Sequence, residues 1–367
     1  MEMTELLQST VSQTVHHLSN VYAVLSKAGK PFRRFPSVML WGAPGVGKSQ
    51  GVRQIAAELR QRTGKRVEVT DVRLLLFNPV DLRGIPTANA DKTLAVWLKP
   101  KIFQMEEGED VINILFLDEI SAAPPSVQAA AYQITLDRTV GEHRLPENCI
   151  VIAAGNRTTD RSVAYQMPRA LANRLCHFEM EINAEEWRQW ALAAGINRKV
   201  LGYISANPDK LSEAEPDMQA LAFPTPRAWE MVSNILSDVS EDPERVYPLI
   251  AGCIGPEATL DFYTWCEVYG SVPSMEAVFA GAVTEPPKRP EALMATVTDM
   301  AGYARSHPQK DGVLASLVFA EAMPVEFRNK VFADYLECKA LRAHLQKNRA
   351  FVYWFETTGR VWEDYGL

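Results

Sequence analysis

The sequence predicts an α/β protein, with a parallel sheet covered by helices on both faces and a mostly helical second half. Three observations carry that expectation. Five short apolar runs rich in branched residues, at 37–41, 66–70, 112–117, 149–154 and 175–180, alternate with stretches of helical periodicity. The first run passes directly into a glycine-rich loop and then into a helical pattern. From residue 184 onward strand signals fade, and 184–194, 227–236 and 327–345 carry apolar residues at helical spacing.

The elements follow in order. Leu6, Leu7, Val11, Val15, Leu18, Val21 and Leu25 make 4–28 an amphipathic lead-in helix, stopped by Gly29 and Pro31. After the first strand, 50–62 forms a covering helix closed by Gly64, and 125–136 forms another. The stretch 284–290, T-E-P-P-K-R-P, reads as a linker, because Pro286, Pro287 and Pro290 are poorly tolerated inside a helix.

Composition narrows the class. The 367 residues exceed one typical domain, and 47% apolar with 23% charged residues is ordinary for a globular chain. A net charge of -7 argues against a protein whose main affinity is for phosphate backbones. Cys149, Cys176, Cys253, Cys266 and Cys338 form no C-x-x-C pair and no zinc spacing, so they read as small hydrophobes in a reducing compartment. The N-terminus carries Glu2 and Glu5 and lacks a basic stretch followed by an apolar run, so no signal peptide is expected. No apolar stretch approaches the roughly 20 residues of a membrane span. A cytoplasmic protein is the expectation.

The chemistry starts at 42–49. Gly42, Ala43, Pro44, Gly45, Val46, Gly47, Lys48 and Ser49 fit the phosphate-loop template G-x-x-x-x-G-K-[ST], with a strand before and a helix after. Glycines let successive N–H groups face the phosphates, and the helix adds the positive end of its dipole. Lys48 reaches the β and γ phosphates, and Ser49 supplies an oxygen to Mg²⁺. Further on, the run 112–117 ends in Asp118 and Glu119. This is the Walker B arrangement, in which Asp118 holds Mg²⁺ through water and Glu119 polarises the attacking water. Alone, two acids after an apolar run are a common strand end; the phosphate loop gives them meaning. The fourth run leads into Gly155, Asn156 and Arg157, and the Asn156 amide can orient a water against a γ-phosphate. Two arginine features complete the set: the stretch 167–175, M-P-R-A-L-A-N-R-L, before the last strand, and Arg227 in F-P-T-P-R at a helix start.

The order of phosphate loop, strand-D-E, strand-G-N, A-L-x-N-R and P-R at a helix start resembles the AAA+ ATPases, specifically the MoxR-like branch related to dynein-type AAA domains. The likeness covers roughly 37–237. The stretch 78–86 continuing to 97–100 looks like that branch's insertion in the second helix, and 138–145 like its hairpin before the sensor strand. The resemblance implies a five-stranded αβα core, a helical lid, and a hexameric homo-oligomer with ATP between neighbours. It makes Asn156 sensor 1, Arg174 a finger reaching the neighbouring subunit's site, and Arg227 the sensor 2 arginine acting on its own subunit's nucleotide, with Arg169 as a second contact in trans. The expected division is an N-terminal helix 1–36, core 37–182, lid 183–283 and helical extension 284–367. Family members are paired with proteins carrying a von Willebrand factor A domain, so the implied activity is ATP-driven remodelling or activation of a protein partner.

A nucleic-acid motor on the same core is the competing reading. The stretches 84–101 and 138–144 contain Lys92, Lys99, Lys101, Arg138 and Arg144, offset by Asp91, Glu142 and nearby acids, which makes no dense basic stripe. That leans towards a protein client. ATP over GTP rests on the resemblance, since the loop reads phosphates only. Phe351, Tyr353, Trp354, Phe355 and Trp362 are expected to form a core that pins the terminal segment.

Overall fold

The computed structural model describes residues 8–157, 167, 172–213, 220–269 and 272–366. The chain divides between Asn183 and Ala184 into two compact units.

In the first unit, β1 (Gln8–Thr10) leads into helix α1 (Val11–Lys27). Thr10 starts that helix through a capping box: its hydroxyl accepts the Gln13 N–H, and the Gln13 side chain accepts the Thr10 N–H. Strand β2 (Val38–Trp41) runs through the phosphate loop into α2 (Lys48–Thr63), which ends on Gly64 in the left-handed conformation. Next come β3 (Arg66–Arg73), the short helix α3 (Pro79–Arg83), and an antiparallel hairpin of β4 (Ile85–Ala88) and β5 (Ala95–Leu98). Then follow β6 (Val111–Asp118), α4 (Pro125–Asp137), a small hairpin of β7 (Thr139–Val140) and β8 (His143–Arg144), β9 (Cys149–Gly155) and β10 (Cys176–Glu181).

The main sheet has the order β1-β10-β2-β9-β6-β3 and is parallel throughout. All five apolar runs are strands in it. The sixth strand corrects the expected count of five: residues 8–10 lie beside β10, with Gln8 opposite Glu179, so the lead-in helix starts only at Val11. The central strands β6 and β9 are buried along nearly their whole length, as strands covered on both faces must be. Their side chains alternate between two cores. Ile114, Phe116 and Ile152 pack under α1 and α2 with Leu18, Ile55 and Leu59, whereas Leu115, Leu117 and Val151 face Val127 and Ile134 of α4.

A parallel sheet brings every strand's C-terminal end to one edge, where α/β folds bind ligands. Here the order β2-β9-β6 sets the ends of three strands side by side. The two small hairpins meet each other, His143 donating from Nε2 to the Trp97 carbonyl at 2.7 Å.

The second unit is helical. It contains α5 (Ala184–Ala194), α6 (Arg198–Ala206), α7 (Pro226–Asp238), α8 (Tyr247–Ile254), α9 (Pro256–Tyr269), α10 (Met275–Phe279), α11 (Pro290–Ser306), α12 (Lys310–Glu321), α13 (Val325–Glu337), α14 (Lys339–Leu345) and α15 (Arg349–Thr357). Helices on both sides of the proline-rich stretch 284–290 pack together, α11 against α6. The terminal aromatics Phe351, Trp354 and Phe355 are buried, and Trp362 stacks on Phe355 with ring centroids 3.8 Å apart. Tyr353 faces outward. Among the described residues no helix is long and apolar enough to cross a membrane.

Candidate functional site

The loop between β2 and α2 is shaped by backbone conformations that L side chains resist. Gly47, the residue capping α2, has φ 106°. The first hydrogen bond of this helix runs from the Gly51 N–H to the Gly47 carbonyl at 2.7 Å, and a helix start of this kind presents its positive end to an anion. Val46 is buried and anchors the loop, while Ala43 and Pro44 form its exposed lip.

Lys48 arches over this cradle. Its ammonium donates to the Gly42 carbonyl at 2.6 Å, the Ala43 carbonyl at 3.1 Å and the Asn156 Oδ1 at 2.8 Å. The first residue of α2 and the residue after β9 are thus in direct contact, 108 positions apart in sequence. Strand order explains this, since β9 lies next to β2.

The neighbouring β6 delivers the acids. Ser49 Oγ donates to Asp118 Oδ2 at 3.1 Å, joining two oxygen ligands of the kind Mg²⁺ takes. Among the described residues no cluster of three or more His, Cys, Asp or Glu forms a protein cage for a metal. A serine and one carboxylate, with the remaining positions left to water and phosphate, suit Mg²⁺ better than a fully protein-bound ion. Negative charge is concentrated here: partial burial, and then the charge of Asp118, raise the Asp71 carboxyl on β3 above the usual carboxylate range, against Arg73 and Arg53.

Glu119 is exposed and has φ 59°, an unusual conformation for a residue with a side chain. Its surroundings hold it there. The Glu119 N–H donates to Asp118 Oδ1 at 2.9 Å, the Ile120 N–H to the Ala154 carbonyl at 2.9 Å, and the Ala122 N–H to the Glu119 carbonyl at 3.1 Å. The strand end is bent sharply, and strain of this sort persists where surrounding structure over-determines it.

Asn156 is fixed by groups that the sequence reading did not single out. Its N–H donates to the buried Ser121 Oγ at 2.9 Å. A side chain at Gly155 would meet that oxygen at 2.7 Å, so only glycine lets strand and serine approach. The next residue, Arg157, is ion-paired with the buried Glu179 of β10. A hydroxyl three residues after Asp118 was the only local signal for Ser121; the Arg157–Glu179 pair has none.

Arg174 lies exposed in the turn before β10. Arg227 belongs to the second unit, exposed in the first turn of α7, whose start is capped by the Thr225 hydroxyl accepting the Ala228 N–H at 3.0 Å. Arg169 lies outside the described residues. Arg138, counted in sequence among the hairpin charges, turns inward: it donates to the Cys149 carbonyl at 3.0 Å and the Phe35 carbonyl at 3.5 Å, and burial lowers its pKa from the usual arginine value. It adds nothing to the charge of the hairpin surface.

Residues 37–177 match the family model described as ATPase family associated with various cellular activities (AAA). Among curated proteins no relative matches the sequence. Solved structures to which the chain is similar include PCH-2 of C. elegans, at 12% identity over 69% of this chain and 67% of that one with a TM-score of 0.36. A P216G mutant of Thermotoga maritima RuvB shares 14% identity over 85% and 89% of the two chains, TM-score 0.35. The ORC1 protein of Aeropyrum pernix, solved in complex with DNA, shares 14% over 92% and 84%, TM-score 0.39. The functional assignment rests on the matched segment, which holds the phosphate loop, both strand-end acids and Asn156. Over residues 37–177 the chain is similar to an AAA-type ATPase domain, and it is an ATP-hydrolysing enzyme.

Proposed function

We propose that this chain is a MoxR-like AAA+ ATPase that works as a homo-oligomeric, hexameric ring and spends Mg-ATP hydrolysis on remodelling or activating a protein partner. The observation that carries the hydrolytic part is the Lys48–Asn156 contact beside the Ser49–Asp118 pair, which gathers the phosphate loop, the metal-binding acid and the water-orienting amide at one sheet edge. In this reading Lys48 and the first-turn N–H groups of α2 hold the β and γ phosphates. Ser49 and Asp118 would hold Mg²⁺, which when bound would neutralise charge on the phosphate oxygens. Glu119 takes the proton of the attacking water, and its exposed, bent position favours that role. Asn156 orients that water. Arg174, exposed on its turn, reaches the neighbouring subunit's γ-phosphate and stabilises the charge of the transition state, and Arg227 acts on the nucleotide of its own subunit.

Dependence on a neighbour's arginine makes turnover conditional on assembly, which suits a machine that converts hydrolysis into movement between subunits. The partner class is a protein, with a von Willebrand factor A domain protein as the first candidate. The inward-turned Arg138 removes one of the charges that a nucleic-acid motor would use. The test is sedimentation of the Glu119→Gln variant with Mg-ATP, together with wild-type turnover in the presence and absence of single- and double-stranded DNA. A nucleotide-held ring and turnover indifferent to DNA are expected. A monomer under these conditions, or DNA-stimulated turnover, would overturn the reading.

A further inference from the structure

Strands β2 and β10 are parallel neighbours, with His177 opposite Met39 and Glu179 opposite Trp41. Trp41 and His177 are therefore diagonal neighbours on one face, with ring planes 15° apart and centroids separated by 6.0 Å. Trp41 donates from Nε1 to His177 Nδ1 at 2.8 Å, and the other ring nitrogen bonds the Ala172 carbonyl at 2.7 Å. An indole can only donate and a carbonyl can only accept, so Nδ1 accepts from Trp41 and Nε2 donates to Ala172. The Ala172 carbonyl also accepts the Leu175 N–H at 3.2 Å, which closes a four-residue turn with Asn173 and Arg174 as its middle residues.

The other end of this chain of contacts is the phosphate loop. Trp41 is the last residue of β2, and the next carbonyl, that of Gly42, accepts from Lys48. We infer that Trp41 and His177 are positioning residues, a hydrogen-bonded relay that fixes the Arg174 turn relative to the phosphate-loop strand of the same subunit. The inference rests on Arg174 acting in the neighbouring site, as proposed above. It gives the arginine a defined seat: the turn is held by its own backbone bond and by an imidazole whose second nitrogen is already committed to Trp41. Each subunit's nucleotide loop is thereby tied to the arginine it offers its neighbour.

The test uses the assembled full chain. His177→Phe keeps the ring and loses both bonds; kcat should fall by about 10- to 100-fold, the scale of a small misplacement of a reacting group. KM for ATP should stay within about twofold, because the nucleotide pocket of the variant is intact. His177→Gln, whose amide can both accept and donate, should restore part of the loss. Trp41→Phe should act in the same direction, and the double variant should be no worse than His177→Phe alone, as members of one relay are not additive. Mixed with Lys48→Ala subunits, which still offer an intact turn, His177→Phe subunits should regain turnover. A loss that falls on KM, additive effects of the two substitutions, or no recovery on mixing while Arg174→Ala does recover would each overturn the relay. Should Arg174→Ala also fail to recover, the trans role of Arg174 is what falls, and the kcat-against-KM split and the double variant still decide the relay. If His177→Phe does not fold, Trp41→Phe and His177→Gln carry the same measurements.

Discussion

At the sheet edge of the first unit, Lys48, Ser49, Asp118 and Asn156 pair with one another while still half-exposed, and Glu119 beside them is open to solvent. In the second unit, Arg188 of α5 and Asp334 of α13 are 2% and 1% exposed and form a two-pronged ion pair, with Glu185 and Lys330 closing the outer side. The two clusters use the same chemical groups in opposite ways. The second satisfies its charges inwardly, and its effect is to pin the first helix of its unit to a helix 146 positions along the chain. The first leaves capacity outward: the start of α2, the Ser49 and Asp118 oxygens, and an acid in a strained conformation. In the proposed reading a ligand completes the first cluster, whereas the second is already complete.

That contrast can be broken from either side. The largest effect belongs to Glu119→Gln, which should keep ATP binding and lower kcat by about 10²- to 10⁴-fold, the range of a lost general base, with no change in thermal stability. Phosphate release in single-turnover and steady-state assays reads it. Asp334→Asn should do the reverse, leaving ATP affinity untouched and costing about 3–5 kcal/mol by stranding the Arg188 charge in the interior. Urea unfolding monitored by far-ultraviolet circular dichroism measures it, and the apolar pair Arg188→Met with Asp334→Leu should recover most of the loss.

The smallest effect concerns pH. Burial works against ionisation of Glu185, but the hydrogen bond and charge of Arg188, and then Lys330, hold its pKa down at about 2. The native protein therefore binds fewer protons than the unfolded chain from about pH 4.5 down to about 2, and its stability falls as pH falls through that window. Thermal melts of Glu185→Gln should be less steeply pH-dependent than wild type across the window, with the difference levelling off above it. Because Glu185 is largely solvent-facing, the effect should be modest.

What could be read in the sequence follows a physical line. The central strands announce themselves because burial on both faces demands continuous apolar runs, as in 112–117 and 149–154. The phosphate loop is legible because its whole function is contiguous. Residues Gln8, Ser9 and Thr10 gave no strand signal, since they are polar and join the sheet through backbone pairing with β10. Thr10 and Gln13, however, already spelled the capping box that ends the strand and starts the helix. Ser121 under Asn156, Arg157 on Glu179 and His177 on Trp41 depend on which strands end side by side, and no local pattern records that. Arg138 shows the same limit for charge: a count places it on a hairpin surface, while the carbonyls of Cys149 and Phe35 draw its guanidinium inside.

In the proposed reading, the open cluster around Lys48 is half of a catalytic site whose other half is Arg174 of a neighbouring subunit. The most direct test mixes Lys48→Ala subunits with Arg174→Ala subunits, each inactive alone, and follows ATP turnover against the mixing ratio. Recovered activity should peak at intermediate ratios, from sites that pair an intact phosphate loop with an intact arginine. Inactivity at every ratio, in mixtures shown to co-assemble, would contradict it.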